Sequence, residues 1–127
     1  TPLTAGTIAL IREYYNSSTL RNIKINPSAA LLKATIINGA QDMAGQYGAA
    51  NGAGRTAPNN HEGWGRVNFS NSIFPSNRFT TLGFKDETSG VLNTDNQVIN
   101  FTQVRFSFNK PVAITLVWTD KPAPAFQ

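Results

Sequence analysis

Apolar residues recur at helical spacing from Leu3 to Tyr15, where Leu3, Ala5, Ile8, Ala9, Leu10, Ile11, Tyr14 and Tyr15 cover a wide arc. A helix apolar around most of its surface is expected to be buried. Pro2 suits its start, where a missing N–H costs least, and Asn16-Ser17-Ser18-Thr19 supplies turn formers at its end. A second helix is predicted after Asn26-Pro27, with Asn26 as N-cap and Pro27 at the first helical position. Its apolar residues run from Ala29 to Ile37, and Gly39 marks its end. From Met43 to Glu62 the chain is rich in Gly, Ala and Asn and reads as a long loop. Next come Gly63-Trp64-Gly65-Arg66-Val67-Asn68 and an apolar piece at Phe69, Ile73 and Phe74.

After Pro75 the period switches to two. Strands are predicted over Phe79–Phe84, Val98–Phe108 and Val112–Thr119. The last two, joined by the turn at Asn109-Lys110-Pro111, would form a hairpin of an antiparallel sandwich. The pattern therefore divides the chain into a helical region, 1–74, and a β region, 75–127.

Composition narrows the function classes. The chain has 127 residues, 40% hydrophobic and 14% charged, enough for a sizeable core. No apolar run reaches the roughly 18 residues a membrane helix needs. With no cysteine, a disulfide framework, a thiolate zinc site and a cysteine nucleophile are excluded. The net charge of +4 is modest, and Arg12, Arg21, Lys24 and Lys33 form only a loose group, read as solvated positions. Neither nucleic acid nor membrane is an expected partner. The opening Thr1-Pro2-Leu3 and the close at Phe126-Gln127 both read as cuts in a longer polypeptide.

The opening segment, Thr1-Pro2-Leu3-Thr4-Ala5-Gly6-Thr7-Ile8-Ala9-Leu10, resembles the helix that carries the nucleophile in subtilisin-like serine proteases. The family signature Gly-Thr-Ser-Met-Ala-Thr/Ser-Pro would end at Thr1-Pro2, and Ala5, Gly6, Ala9 and Leu10 match the family's next helical positions. Leu3 and Thr4 depart from the usual His and Val, at positions without chemistry. Pro27–Ala34 with Gly39-Ala40 is similar to the family's next helix. Gly63–Asn68 resembles the Gly-x-Gly-x-Val/Ile-Asn segment that closes the protease domain. Leu116-Val117-Trp118-Thr119-Asp120 is similar to a strand of the appended jelly-roll domain in one alkaline subgroup. The resemblance implies an α/β subtilisin-like C-terminal segment with two buried helices, followed by part of a jelly-roll-like β-sandwich.

In that family Ser attacks the peptide carbonyl, His takes its proton, Asp orients the His, and Asn with a backbone N–H stabilises the oxyanion. The resemblance puts the nucleophile three residues before Thr1 and the other reacting groups further upstream, so no catalytic residue is expected here and the isolated chain should be inactive. It implies supporting roles for Thr1 and Pro2 at the helix start and for Gly6, which lets the helix approach its neighbours. It also implies a secreted endopeptidase acting on peptides or proteins, with the rest of the protease packed on helix 2–15.

His61-Glu62 lacks the second His of a zinc helix, and His61 is read as a loop residue. Gly48, Gly52 and Gly54 are not spaced as a phosphate loop. Trp64 and Trp118 are expected in the core. No metal is required for the chemistry. Asp42, Asp86, Asp95 and Asp120 lack calcium-loop spacing, although the resembled subgroup admits structural Ca2+, with Asp120 as a ligand. Asn16-Ser17-Ser18, Asn68-Phe69-Ser70 and Asn100-Phe101-Thr102 fit the N-glycosylation pattern and are compatible with secretion. Two other readings stay open: a non-catalytic β-sandwich binding module, and an inactive subtilase paralogue.

Overall fold

A computed structural model describes residues 1–17, 24–43, 57–73, 82–88, 98 and 112–119. Three helices occur in chain order: α1 (Pro2–Asn16), α2 (Ala29–Asn38) and α3 (Phe69–Ile73). Each contacts the other two.

Pro2 stands in the first turn of α1, where its fixed φ fits and no N–H is missed. The helix stops at Ser17, whose extended φ of −90° and ψ of 118° lead the chain away. The Tyr15 carbonyl, orphaned by that stop, accepts the Ile25 N–H at 3.0 Å.

The start of α2 differs from the expectation. Its N-cap is Ser28, not Asn26, and Ser28 Oγ accepts the Leu31 N–H at 3.0 Å. Asn26-Pro27 carries the usual start signal, but Pro27 lies ahead of the helix. Ser28 takes the cap because Asp86 holds it from outside the helix: the Ser28 N–H donates to Asp86 Oδ2 at 2.8 Å.

Gly39 ends α2 as expected, for a different reason. Its φ is −85°, so no left-handed backbone calls for glycine. A Cβ there would lie 2.5 Å from the Ser72 Cα and backbone nitrogen, so glycine is what lets α3 press against the end of α2.

The core is Ile11 and Tyr15 from α1, Leu31 and Ile36 from α2, and Ile73 from α3. Burying such side chains stabilises by roughly 1.5–3 kcal/mol each. Phe84 closes one side, its ring edge-on to Tyr15 with centroids 5.1 Å apart. Within this cluster the Tyr15 and Thr35 hydroxyl oxygens are 2.9 Å apart. The Thr35 hydroxyl donates to the Leu31 carbonyl at 2.8 Å. A hydroxyl has one proton, so Tyr15 O–H is the donor to Thr35.

The expected α/β segment with a following β-sandwich is overturned. Among the described residues there is no strand, only isolated antiparallel bridges at Gln41–Arg66 and Asn59–Gly63. Residues 112–119, predicted as a strand, form no ladder with another described segment. Their alternation is real, yet Val112, Ile114, Leu116 and Trp118 are all exposed. Alternation gives a segment two faces; a strand also needs a hydrogen-bonded neighbour. The link observed is to a helix: Asn38 Nδ2 donates to the Ala113 carbonyl at 3.2 Å and to Thr115 Oγ1 at 3.0 Å. Of the Phe79–Phe84 prediction, residues 82–84 are not strand, and 79–81 lie outside the described residues. The Val98–Phe108 prediction also lies outside them, except Val98, which is exposed.

Two buried helices were also expected. Within this chain α1 buries only Ile11 and Tyr15, one turn apart, while Leu3 is 88% and Leu10 51% exposed. A single stripe of α1 meets α2 and α3, and the rest of its wide apolar arc faces outward. Trp64 and Trp118, expected in the core, are 54% and 64% exposed. No helix among the described residues is long and apolar enough to cross a membrane.

Candidate functional site

The residues implied as supports of an active site lie together at the start of α1. Thr1, Pro2 and Gly6 are all exposed. Thr1 is the N-cap by position, but its side chain makes no capping bond, and its carbonyl accepts the Ala5 N–H at 3.1 Å. No acidic residue stands in the first turn. The positive end of the helix, equivalent to about +0.5 elementary charge, is therefore not offset by a carboxylate of that turn. Such an end favours an anion or a developing oxyanion.

Ala5, Gly6 and Ala9 share an exposed side of α1. A Cβ at Gly6 would meet nothing within 4 Å, so the close approach expected there involves none of the described residues. The face is made of small apolar residues and adjoins the helix start.

The Gly63–Asn68 segment is built around two glycines of positive φ, Gly63 at 58° and Gly65 at 104°. Gln41 and Arg66 exchange backbone hydrogen bonds, at 2.7 Å from the Gln41 N–H and 2.8 Å from the Arg66 N–H. A Cβ on Gly65 would fall against the Gln41 carbonyl oxygen, so glycine is required by both space and dihedral angle. The Gln41 side chain ties the segment down, its Oε1 accepting from Arg66 Nη2 at 2.7 Å and Asn68 Nδ2 at 3.3 Å. Asn68 then starts α3, its Oδ1 accepting the Asn71 N–H at 3.0 Å. The segment thus joins the end of α2 to the start of α3.

Asn59 organises the turn before it. Its Oδ1 accepts the N–H groups of His61 at 2.8 Å and Glu62 at 3.0 Å, and its Nδ2 donates to Glu62 Oε1 at 2.5 Å. His61 is an exposed loop residue, in keeping with its sequence reading. The acids weighed as calcium ligands have other work: Asp42 Oδ1 accepts the Ala57 N–H at 3.2 Å, and Asp86 holds Ser28. Asp95 and Asp120 lie outside the described residues, as do Gly48, Gly52 and Gly54. Among the described residues, no group of three or more His, Asp or Glu could hold a metal.

Sequence reasoning missed Thr35 and Asn59, and it weighed Asp86 only as a calcium ligand. Asn59-Asn60 within a polar, Gly-rich stretch is a turn signal for Asn59. Asp86 and Thr35 act through contacts distant in sequence, and no local pattern announces them. In comparisons with known proteins, no family model, no curated protein and no solved structure matches the chain.

Proposed function

We propose that this chain is part of a secreted subtilisin-like serine endopeptidase, the portion that follows the catalytic serine. The observation that carries the reading is the start of α1. Thr1-Pro2 opens the helix, its first turn lacks a side-chain cap and an acid, and Ala5, Gly6 and Ala9 lie exposed beside it. These are the positions that resemble the family's nucleophile helix. The Gly63–Asn68 segment adds support, since both glycines of its Gly-x-Gly pattern have positive φ.

In this reading the serine three residues before Thr1 attacks the scissile carbonyl, an upstream His accepts its proton, and an upstream Asp orients the His. This chain contributes position and field. α1 holds the serine at its N-terminal end, where the helix dipole favours the negative oxygen of the tetrahedral intermediate. The small face at Gly6 lets the remainder of the protease domain seat on α1. Leu3 and Leu10, exposed here, would be covered by it. The substrate is a peptide or protein, and no metal takes part in the bond cleavage.

The reading is tested with the full-length parent and the isolated 1–127 chain, both assayed on a chromogenic peptide. The parent is expected to hydrolyse it and to be inactivated by a serine-directed phosphonate, while the isolated chain does neither. A parent without phosphonate-sensitive turnover, or an isolated chain with it, overturns the reading.

A further inference from the structure

We propose that Asn38 is a latent deamidation site, closed by the packing at the end of α2 and opened only when that packing parts. The inference goes beyond the peptidase reading and does not depend on it. Asn38 is followed by Gly39. An asparagine before glycine is suited to react with its own backbone, because glycine has no Cβ to keep its nitrogen from the asparagine side-chain carbon.

The fold holds both reacting groups away from that step. Asn38 is the last residue of α2. A planar five-membered ring needs Cβ and the next nitrogen eclipsed about the Cα–C bond, and at a helical ψ of about −42° they stand roughly 80° apart. The Gly39 N–H is committed to the Thr35 carbonyl at 3.1 Å. Gly39 is buried against Ser72, whose Cα and nitrogen lie 2.5 Å from where a Cβ would stand. Just beyond it, Gln41 and Arg66 exchange backbone hydrogen bonds at 2.7 and 2.8 Å and fix the chain that leaves α2. On the other side, Asn38 Nδ2 donates to the Ala113 carbonyl at 3.2 Å and to Thr115 Oγ1 at 3.0 Å.

When this end opens, the Gly39 nitrogen gives its proton to hydroxide and attacks Asn38 Cγ. The Cγ–Nδ2 bond breaks, and Nδ2 leaves as ammonia with a proton drawn from water, so that a succinimide remains. Water adds at either ring carbonyl, one ring carbon–nitrogen bond breaks, and aspartate or isoaspartate results. Either product opposes reclosure. The new carboxylate has no proton for the Ala113 carbonyl, which is an acceptor only. Isoaspartate also adds a carbon to the main chain, beside a Gly39 that has no room against Ser72.

The test incubates the full-length parent in buffer and in urea at one pH and temperature. Aspartate plus isoaspartate at position 38 is read by peptide mass mapping, which separates it from the second such pair, Asn51-Gly52. The folded protein should react at least about tenfold more slowly than the unfolded one, as a site exposed only by local opening must. Gly65→Ala, which breaks the Gln41–Arg66 pair, should raise the folded rate severalfold. Asp86→Ala, at the opposite end of α2, should leave it within about twofold. Protein reacted at position 38 should not regain the starting urea midpoint after refolding. Equal rates in buffer and urea, an unchanged rate in Gly65→Ala, an equal rise in Asp86→Ala, or a fully regained midpoint overturns the proposal.

Discussion

Ser28 and Asp86, 58 residues apart, are joined by two hydrogen bonds, from the Ser28 N–H at 2.8 Å and from its hydroxyl at 2.5 Å. The serine hydroxyl oxygen meanwhile accepts the Leu31 N–H at 3.0 Å. One carboxylate thereby holds the cap of α2 and fixes segment 82–88 to the helices. Hydrogen bonds to a charged group contribute about 1.5–3 kcal/mol, so Asp86→Ala should cost that much in urea unfolding. Asp86→Asn should cost less, because its remaining oxygen still accepts one of the two donors. Equal stability of the protein and Asp86→Ala would show the clamp to be energetically empty.

The buried Tyr15–Thr35 pair predicts an asymmetry. Tyr15→Phe removes a donor and leaves Thr35 still donating to Leu31, a loss of about 1 kcal/mol. Thr35→Val removes a hydroxyl that takes part in two buried hydrogen bonds, with Tyr15 and to the Leu31 carbonyl, which should cost about 1–3 kcal/mol. The double variant should fall short of the sum of the singles. Chemical denaturation of the three variants decides it, and a Tyr15→Phe loss larger than that of Thr35→Val contradicts the two-bond role given to Thr35.

Helices α1 and α2 were legible in the sequence, because Leu3–Tyr15 and Ala29–Ile37 carry their apolar spacing locally; α3, five residues long, was read only as an apolar piece, being too short to show a period. The α2 cap was legible only by type. Asn26 and Ser28 are both good caps, and Asp86, far along the chain, decides between them. The strand prediction at Val112–Thr119 failed because alternation is a property of one segment, whereas a ladder belongs to two. The exposure of Trp64 and Trp118 was equally hidden, since size and apolarity say nothing of which neighbours arrive. At the candidate site, the order of Thr1, Pro2 and Gly6 was readable, but the openness of the face around Gly6 was not.

Two glycines separate dihedral angle from space. Gly65, at φ 104°, faces the Gln41 carbonyl, so Gly65→Ala should both strain the backbone and break the Gln41–Arg66 pair. A loss of at least about 2 kcal/mol is expected from strain and two backbone hydrogen bonds. Gly63, at φ 58° with open space around it, lies where Asn is tolerated. Gly63→Asn should cost under about 1 kcal/mol. Thermal melts of both variants check this, and a reversed order refutes the roles given to the pair.

Gly6 tests enclosure of α1. Among the described residues a Cβ at Gly6 meets nothing, and in the isolated chain Gly6→Ala should raise helix stability by about 1 kcal/mol. In the parent, Gly6→Leu should wedge α1 away from its cover and misplace the serine, cutting peptide hydrolysis by roughly a hundredfold. Retention of full activity by Gly6→Leu would remove the close-packed partner from the account.

The most direct measurement is the site of fluorophosphonate attachment in the full-length parent, read by peptide mass mapping. The account predicts a single labelled serine three residues before Thr1, and loss of both label and turnover when that serine becomes alanine. An unlabelled parent, or one that hydrolyses peptides undiminished after the replacement, would contradict it.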